Sequence, residues 1–243
     1  MKVRFLSAGD RALVVEFGDR VDRRLSERVL RLDAIIRSNP PPGIVETVPT
    51  FRSLAVYYDP LLTSRGELQR AITPLLDLRD NPRTGAKLWQ VPVCYEGEFA
   101  PDLAEVARLT GLTPNDVVAL HSGTRFHVYM LGFLPGQAYM GEVAAELALD
   151  RLETPRTKIP AGSLAIASRM SCVFPLETPC GWHVIGRCPV PLWDPVHGTS
   201  LLAPADQVKF VPVPMREYET LATRASQGVL RIEPVSEFVG AVA

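Results

Sequence analysis

The distribution of proline restricts the fold of this chain more than any other feature. Fifteen of the 22 prolines lie from Pro92 onward, where they and the glycines divide the sequence into short apolar runs. Proline fixes φ and has no N–H to donate, so long helices and central strands exclude it. The second part of the chain is therefore expected to consist of short strands joined by tight turns.

The apolar runs of this second part resemble strands in length and composition. They are LWQVPVCY, FHVYMLGF, SLAIAS, SCVFPLE, GWHVIG, PLWDP, QVKFVPV and a terminal VLRIEP. Such a series is typical of a closed, mostly antiparallel β-barrel or sandwich, which we place at residues 86–243. Start and stop signals also predict two short helices over 101–111 and 113–123, which form a helical hairpin on the rim of the barrel.

The first part of the chain shows a different pattern. Apolar and polar residues alternate in four runs, at 3–6, 11–17, 44–50 and 51–59, and helical spacing predicts helices over 22–37 and about 63–78, the second kinked or begun late at Pro74. The order is therefore β-β-α-β-β-α, an α+β N-terminal domain at residues 1–85. The stretch LRDNPRTGAK, at 78–87, has the composition of a linker.

Composition favours a globular protein that binds small molecules or other proteins. Hydrophobic residues make up 47% of the 243 residues, which is enough for a sizeable core. The formal charge is -1, with 26 basic and 27 acidic residues and no long run of either sign, so neither nucleic acid nor a membrane is an expected partner. No apolar run approaches the roughly 18 to 20 residues that span a bilayer, and we expect a cytoplasmic protein.

The sequence lacks the motifs of several common catalytic and metal-binding sites. It contains no GxxxxGK[ST], no GxGxxG after a strand, no HExxH and no GxSxG. The four histidines, His121, His127, His183 and His197, do not show the paired spacing of metal ligands. We therefore predict no metal site in this chain.

Four cysteines, at 94, 172, 180 and 188, form no CxxC pair and are predicted to be free thiols. Small buried residues in neighbouring strands explain them, although Cys180 and His183 also suggest a nucleophile and its base. A strand beginning at Trp182 alternates, with even-numbered residues on one face and odd-numbered residues on the other. His183 then shares a face with Arg187, about 13 Å away, and not obviously with Cys180.

Two further stretches are candidates for ligand binding. In LETPRTKIPAGS, Arg156 and Lys158 have the parity of one strand face, and a rigid pair of cations suits a carboxylate or phosphate. An ordinary solvated face explains these charges equally well. In MLGFLPGQAYMGE (130–142), glycines and aromatic residues either line a pocket or form a tight barrel corner.

These stretches, in order and spacing, resemble a known family. HSGTRFHVYMLGFLPGQAYMG, TPRTKIPAGSLAIA, FPLETPCGWHVIGR and PLWDP, together with GDRALVVEFGD and PTFRSLAVYYDP near the N-terminus, are similar to the family of 5-oxoprolinase B subunits, also called allophanate hydrolase subunit 1 and KipI. The resemblance covers nearly the whole chain. It implies an α+β N-terminal domain followed by a mostly β, cyclophilin-like barrel.

The resemblance also implies an activity and partners. Such proteins are associated with ATP-dependent opening of 5-oxo-L-proline to L-glutamate, in which ATP, with Mg²⁺, activates the lactam carbonyl. The implied partners are a homologous C subunit of the allophanate hydrolase subunit 2 type and an A subunit of the LamB/YcsF type. The chain alone is then expected to be inactive. The alternative function is that of a KipI-like inhibitor of a sensor histidine kinase, and a prolyl isomerase rests on fold analogy alone.

The resemblance assigns roles to individual residues of this chain. Arg156, Lys158 and Arg187 are expected to neutralise carboxylate or phosphoryl charge, as the catalytic cations. The expected ligand contacts are His121, Gly132, Phe133, Pro135, Gly136, Tyr139, Pro160, Gly162, Glu177, Gly181 and Trp182. This sequence departs from the family pattern at 137–142, at 168–174 and at Cys180, which affects the substrate more than the fold.

Overall fold

The computed structural model describes residues 3–77 and 86–235. The chain divides into two compact units, Met1–Ala86 and Lys87–Ala243. Most of the linker predicted at 78–87 lies outside the described residues. Among the described helices, none combines the length and the apolar character needed to cross a membrane.

The first unit has the predicted order of elements. Its described elements are β1 (Arg4–Ser7), β2 (Ala12–Glu16), α1 (Arg23–Ser38), β3 (Ile44–Pro49), β4 (Ser53–Tyr58), α2 (Arg65–Ile72) and a 3₁₀ turn (Thr73–Asp77). The strands form one antiparallel sheet in the order β1-β2-β4-β3. Pro74 lies in the 3₁₀ turn, after α2 has ended, so the predicted helix is shorter than expected.

Local sequence signals explain where these helices begin. The Asp22 carboxylate accepts hydrogen bonds from the N–H groups of Arg24 and Leu25 at the start of α1. Ser64 and Glu67 form a capping box at the start of α2. Each arrangement satisfies N–H groups that have no partner within the helix. Both helices then bury an apolar face against the sheet.

The second unit is built mainly from strands. Its described elements are β5 (Leu88–Val93), α3 (Leu103–Thr110), α4 (Pro114–Gly123), β6 (Phe126–Leu131), β7 (Ala138–Gly141), β8 (Arg156–Ile159), β9 (Ser163–Ala167), β10 (Met170–Val173), β11 (Thr178–Cys180), β12 (His183–Arg187), β13 (Trp193–Asp194), β14 (Thr199–Ser200), β15 (Gln207–Pro212) and α5 (Met215–Ser226). At α4, Thr113 caps the helix and Pro114 is its first residue, as predicted.

Seven strands form a nearly closed, barrel-like sheet. Their order is β12-β9-β10-β7-β6-β15-β5, and every pair is antiparallel except β15 with β5. The two ends of the sheet meet where Cys94 and Arg187 exchange backbone hydrogen bonds of 2.9 Å. The mostly β barrel predicted from the sequence is therefore confirmed. Two small sheets, β8-β11 and β13-β14, lie outside this order.

One strand prediction for this unit was wrong, and one helix was not foreseen. The run VLRIEP (229–234) forms no strand, because its alternating pattern has no neighbouring strand to pair with; the residue that follows it, Val235, makes an isolated bridge to Leu88. The sequence analysis also missed α5, whose Met215, Tyr218 and Leu221 pack against a small cluster formed by Cys94, Phe99 and Val213.

Candidate functional site

The strands of the barrel carry side chains of different kinds on their two faces. On β9, Leu164 and Ile166 enter the main core, whereas Ala165 and Ala167 belong to a second cluster on the opposite face. We call this second cluster the Trp182 face. Its buried members are Ile159, Ala165, Ala167, Cys172, Phe174, Cys180, Trp182 and Val184, and Leu134, Tyr139 and Met170 pack on it while staying partly exposed.

Aromatic rings form the centre of the Trp182 face. The Trp182 ring lies edge-on to Tyr139, with centroids 6.0 Å apart, and to Phe174 at 6.1 Å. The Arg151 guanidinium carbon lies 5.9 Å from the Trp182 ring centroid. Burial raises the pKa of the Tyr139 hydroxyl, which therefore stays protonated at neutral pH. The structure thus brings together two of the predicted wall residues, Tyr139 and Trp182, beside a cation that the sequence analysis did not single out.

Arg156 is held at this face by a buried carboxylate. It forms a two-point ion pair with Asp102, in which Nη1 lies 2.9 Å from Oδ2 and Nη2 contacts Oδ1. The Asp102 side chain is only 8% exposed, and its Oδ2 also accepts the backbone N–H of Val184 at 2.6 Å. The guanidinium fork is therefore occupied within the chain, and the pair fixes β8 relative to β12.

Lys158 and Glu177, both predicted site residues, lie at the exposed edge of the same small sheet. The Lys158 ammonium is 2.8 Å from the Glu177 carboxylate, with side chains 66% and 55% exposed. Ion pairs this exposed are weak, since water screens both charges. Lys158 is therefore available to a ligand anion that displaces Glu177.

Arg187, the third predicted cation, lies in another environment. Its guanidinium carbon is 5.0 Å from the Phe99 ring centroid, and its charge opposes the rise that burial causes in the pKa of the Tyr218 hydroxyl. Phe99 and Tyr218 belong to the cluster under α5 and not to the Trp182 face. The structure thus separates Arg187 from the side chains around Trp182. A β-bulge between Val184 and Gly186 also breaks the strict alternation that was predicted for this strand.

His121 is buried inside the barrel. Its Nδ1 is 2.9 Å from the Tyr95 hydroxyl and its Nε2 is 3.0 Å from the Ser171 hydroxyl, and the ring stacks on Phe210. Burial lowers the pKa of His121 to about 3, so the imidazole is neutral at physiological pH. The residue joins α4, β10 and the strand-end residue Tyr95 through hydrogen bonds.

The predicted glycines make close contacts within the chain. Gly162 has φ +81°, and a Cβ there would lie 2.5 Å from the Cys188 carbonyl oxygen. Gly136, at φ +74°, would bring a Cβ within 2.7 Å of the Trp193 Cβ. At Gly132 the neighbour is the Met130 methyl group, and at Gly181 it is Pro155.

The remaining predicted contacts lie on exposed turns. Phe133 is 70% exposed and has φ 71°, and Pro135 follows it in the same loop. Pro160 is exposed in the turn between β8 and β9, where its carbonyl accepts hydrogen bonds from Ser163. These residues border the Trp182 face or its supporting turns without entering its centre.

Cys180 and His183 do not form a dyad. The Cys180 sulfur accepts the Trp182 N–H at 3.2 Å, whereas His183 Nε2 lies 3.0 Å from the Asp150 carbonyl oxygen. Burial raises the pKa of the Cys180 thiol, which disfavours the thiolate that a nucleophile needs. All four cysteines are buried free thiols.

Sequence reasoning missed three residues that shape this face. Asp102 precedes α3, where an aspartate suggests a helix cap, yet its carboxylate makes no cap bond and binds Arg156 instead. Arg151 lies in none of the sequence motifs that predicted the site. Gln137 lay within the loop quoted above; it is 1% exposed and its amide N–H donates weakly to Cys172 at 3.7 Å.

A cleft lies elsewhere on this unit. It has a volume of about 1070 Å³ and lies between the β13-β14 hairpin and residues 225–233, with Trp89 and Trp193 in its walls. At its mouth the Asp194 carboxylate binds His197 Nδ1 at 2.6 Å, which lowers the pKa of Asp194. None of the predicted site residues is among the described residues that line it.

The arrangement of the potential donor side chains decides whether this chain can hold a metal ion. In residues 3–77 and 86–235, no group of three or more histidine, cysteine, aspartate or glutamate side chains has an arrangement that could hold a metal ion. The Trp182 face consists of aromatic and small apolar side chains, with the exposed Arg151 beside the Trp182 ring.

Comparison with known proteins gives a consistent family. Residues 3–202 match the model of the carboxyltransferase domain, subdomains C and D. The chain is 35% identical to the 5-oxoprolinase B subunit of Bacillus subtilis strain 168, over 86% of this chain and 92% of that protein. It is 33% identical to the protein of the same name from Escherichia coli O157:H7, over 87% and 96%.

A solved structure agrees with these matches. The protein TTHA0988 superposes with a TM-score of 0.74 and 36% sequence identity, over 84% of this chain but only 40% of its own longer chain. This chain therefore belongs to the carboxyltransferase-domain family defined by subdomains C and D and is a relative of the 5-oxoprolinase B subunits.

Proposed function

We propose that this chain is a subunit of an ATP-dependent 5-oxoprolinase, a cyclic-amide hydrolase that opens 5-oxo-L-proline to L-glutamate. The observation that carries the proposal is the 35% identity to a 5-oxoprolinase B subunit, over 92% of that relative. The family match over residues 3–202 includes all residues of the Trp182 face. The proposed role is that of the B subunit.

The proposal includes partners. The relatives carry the name of one subunit among several, and we propose the homologous C subunit and the LamB/YcsF-type A subunit as the partners here, all in the cytoplasm. The described residues of this chain offer no carboxylate cluster for Mg²⁺. The chain also has no P-loop sequence. These residues do not fit a complete Mg²⁺–ATP site, so we assign no phosphoryl transfer to this chain and propose that it is inactive alone.

Within the complex, the Trp182 face is the proposed binding surface for the lactam. A flat five-membered ring suits the partly exposed ring of Tyr139, which is supported from below by its edge contact with Trp182, with ring centroids 6.0 Å apart. The carboxylate of the substrate suits the exposed ammonium of Lys158, released from its weak pair with Glu177. Arg156 contributes by position, because its ion pair with Asp102 holds the strand that carries Lys158.

We also propose that the two compact units are separate domains, with a boundary near residue 85, and that the barrel is of the cyclophilin-like type. The support for the boundary is that each unit has its own hydrophobic core. The support for the barrel type is the seven-stranded, nearly closed sheet with helices packed on it.

The test is a turnover assay with purified components. ATP hydrolysis that depends on 5-oxoproline is expected with the A and C subunits present and not with this chain alone. Lys158→Ala should raise the KM for 5-oxoproline with a smaller effect on kcat, whereas Lys209→Ala, another exposed lysine, should change neither. Turnover by the chain alone, or binding to a sensor kinase without any lactam-dependent turnover, would contradict the proposal.

A further inference from the structure

One exposed aromatic side chain in the second unit is held in an unfavourable backbone conformation. Phe133 has φ 71°, in the left-handed region that a bulky residue seldom adopts, and its side chain is 70% exposed. The chain thus combines backbone strain with an apolar ring in water. Residues of this kind persist where the surrounding structure holds them, and they cluster at functional sites.

The loop around Phe133 is fixed on both sides. The Gly132 N–H donates to the Gln137 carbonyl at 3.1 Å, and the Gln137 N–H donates to the Leu134 carbonyl at the same distance. Gly136 rests against Trp193, where even a Cβ would lie 2.7 Å from the tryptophan side chain. The ring is therefore displayed from a rigid support and does not lie on a loosely held loop.

The position of the loop connects it to the proposed site. Leu134, the next residue, packs on the Trp182 face. A molecule that covers Phe133 would therefore lie beside Tyr139 and Trp182. Most of the ring surface is uncovered by the described residues, so it is available to a partner.

We infer that Phe133 is a preformed anchor that inserts into an apolar pocket of the proposed C subunit and places that partner next to the Trp182 face. Aromatic side chains are enriched among the residues that dominate binding, and a rigid loop loses little entropy when it docks. In TTHA0988 the matched region is 40% of the chain, so further polypeptide accompanies it there. The inference rests on the proposed function, because the C subunit belongs to the complex proposed above.

The experiment distinguishes a role of Phe133 in binding the C subunit from a role in stabilising the fold of this chain. Asparagine tolerates the left-handed region better than phenylalanine, so Phe133→Asn should keep or raise the Tm of the free chain. The same variant should weaken binding to the purified C subunit at least tenfold in calorimetry. Leu61→Asn, which removes a side chain that is 91% exposed, should leave both quantities unchanged.

Each measured outcome either supports or contradicts the role of Phe133 as an anchor. Unchanged affinity in Phe133→Asn, a tenfold loss in Leu61→Asn as well, or no binding of the wild-type chain to the C subunit would overturn it. A lower Tm of Phe133→Asn would show that the ring supports the fold and would overturn it too. The turnover assay of the wild-type components is read separately: binding through Phe133 without lactam-dependent turnover rejects the proposed function and retains the anchor.

Discussion

Individual residues of the same type have different roles here because their partners differ. Arg156 and Lys158 are two positions apart on β8, and the sequence suggested one shared task. The guanidinium instead binds the buried Asp102, whereas the ammonium stays at the exposed edge. A bidentate pair with a buried carboxylate requires both planar groups to meet, and only the fold brings residue 102 to residue 156.

The burial of His121 makes the stability of the fold depend on pH. Its pKa is about 3 in the folded protein and about 6.5 when unfolded, so the unfolded chain binds the proton more tightly. The contribution is complete above pH 6.5 and is lost progressively as the pH falls towards 3. From pH 7.5 to 5.5, the free energy of unfolding should fall by roughly 1 kcal/mol through this group.

Urea titrations of the wild type and of His121→Gln at both pH values measure this contribution. The variant should be less stable at pH 7.5, because Tyr95 and Ser171 lose the hydrogen bonds to the imidazole. The free energy of unfolding of this variant should change less between the two pH values, by roughly 1 kcal/mol. Equal changes in the two proteins would show that His121 takes up its proton without unfolding.

Whole elements follow the local sequence where a local signal suffices. The caps at Ser64 and Thr113 and the alternation along β2 and β4 locate those elements closely. A strand, however, also needs a neighbour at about 4.8 Å, and VLRIEP has alternating burial without one. The β-bulge in β12 likewise depends on the pairing with β9 and not on the sequence of β12 alone.

The turn that precedes β9 shows why a glycine is needed. The glycine is Gly162, where a Cβ would lie 2.5 Å from the Cys188 carbonyl oxygen. The two residues are held at this distance, because the Cys188 N–H donates a hydrogen bond of 2.8 Å to the Gly162 carbonyl. Gly162→Ala should therefore lower the free energy of unfolding by about 2 to 4 kcal/mol, from left-handed strain and a backbone clash together.

The matched control for that substitution is Gly198→Ala. Gly198 has a similar φ of +64°, but nothing lies within 4 Å of its Cβ position. Gly198→Ala should lower the free energy of unfolding by about 1 kcal/mol, because it introduces left-handed backbone strain without a clash. Chemical denaturation of the two variants compares them directly, and equal losses would mean that the Cys188 carbonyl moves aside.

At the scale of the whole molecule, each compact unit has a main hydrophobic core of its own among the described residues. Leu13, Val15 and Leu54 belong to the core of the first unit, and Val128, Ile166 and Phe210 to that of the second. Each core is closed by its own sheet, so the cooperative unit of unfolding is expected to be the single core and not the full chain.

Calorimetry of core variants tests this independence. Leu13→Ala removes a fully buried side chain and should destabilise the first unit by about 2 to 5 kcal/mol. It should lower the temperature of one unfolding transition and leave the other in place, and Val128→Ala should do the reverse. A single transition that both variants shift equally would indicate one cooperative structure.

The proposed site was foreseen only in part. The motifs pointed to Tyr139, Trp182, Lys158 and Glu177; the structure brings the first two into contact at the Trp182 face and pairs the second two in an exposed ion pair on the β8-β11 sheet. Arg187 carried the same charge signal but lies beside Phe99. Charge and spacing along the chain do not determine which side chains meet when they come from strands that are distant in sequence.

The sequence by itself determined the helix caps, the short strands and the mostly β character of the second unit, because these depend on φ restrictions, hydrogen-bond donors and alternation within a few residues. Only the tertiary structure decided that Asp102 binds Arg156, that His121 is buried neutral and that Phe133 is displayed on a rigid loop. These outcomes depend on contacts between residues far apart in the chain, where burial and desolvation set the energy and no local pattern records the partner.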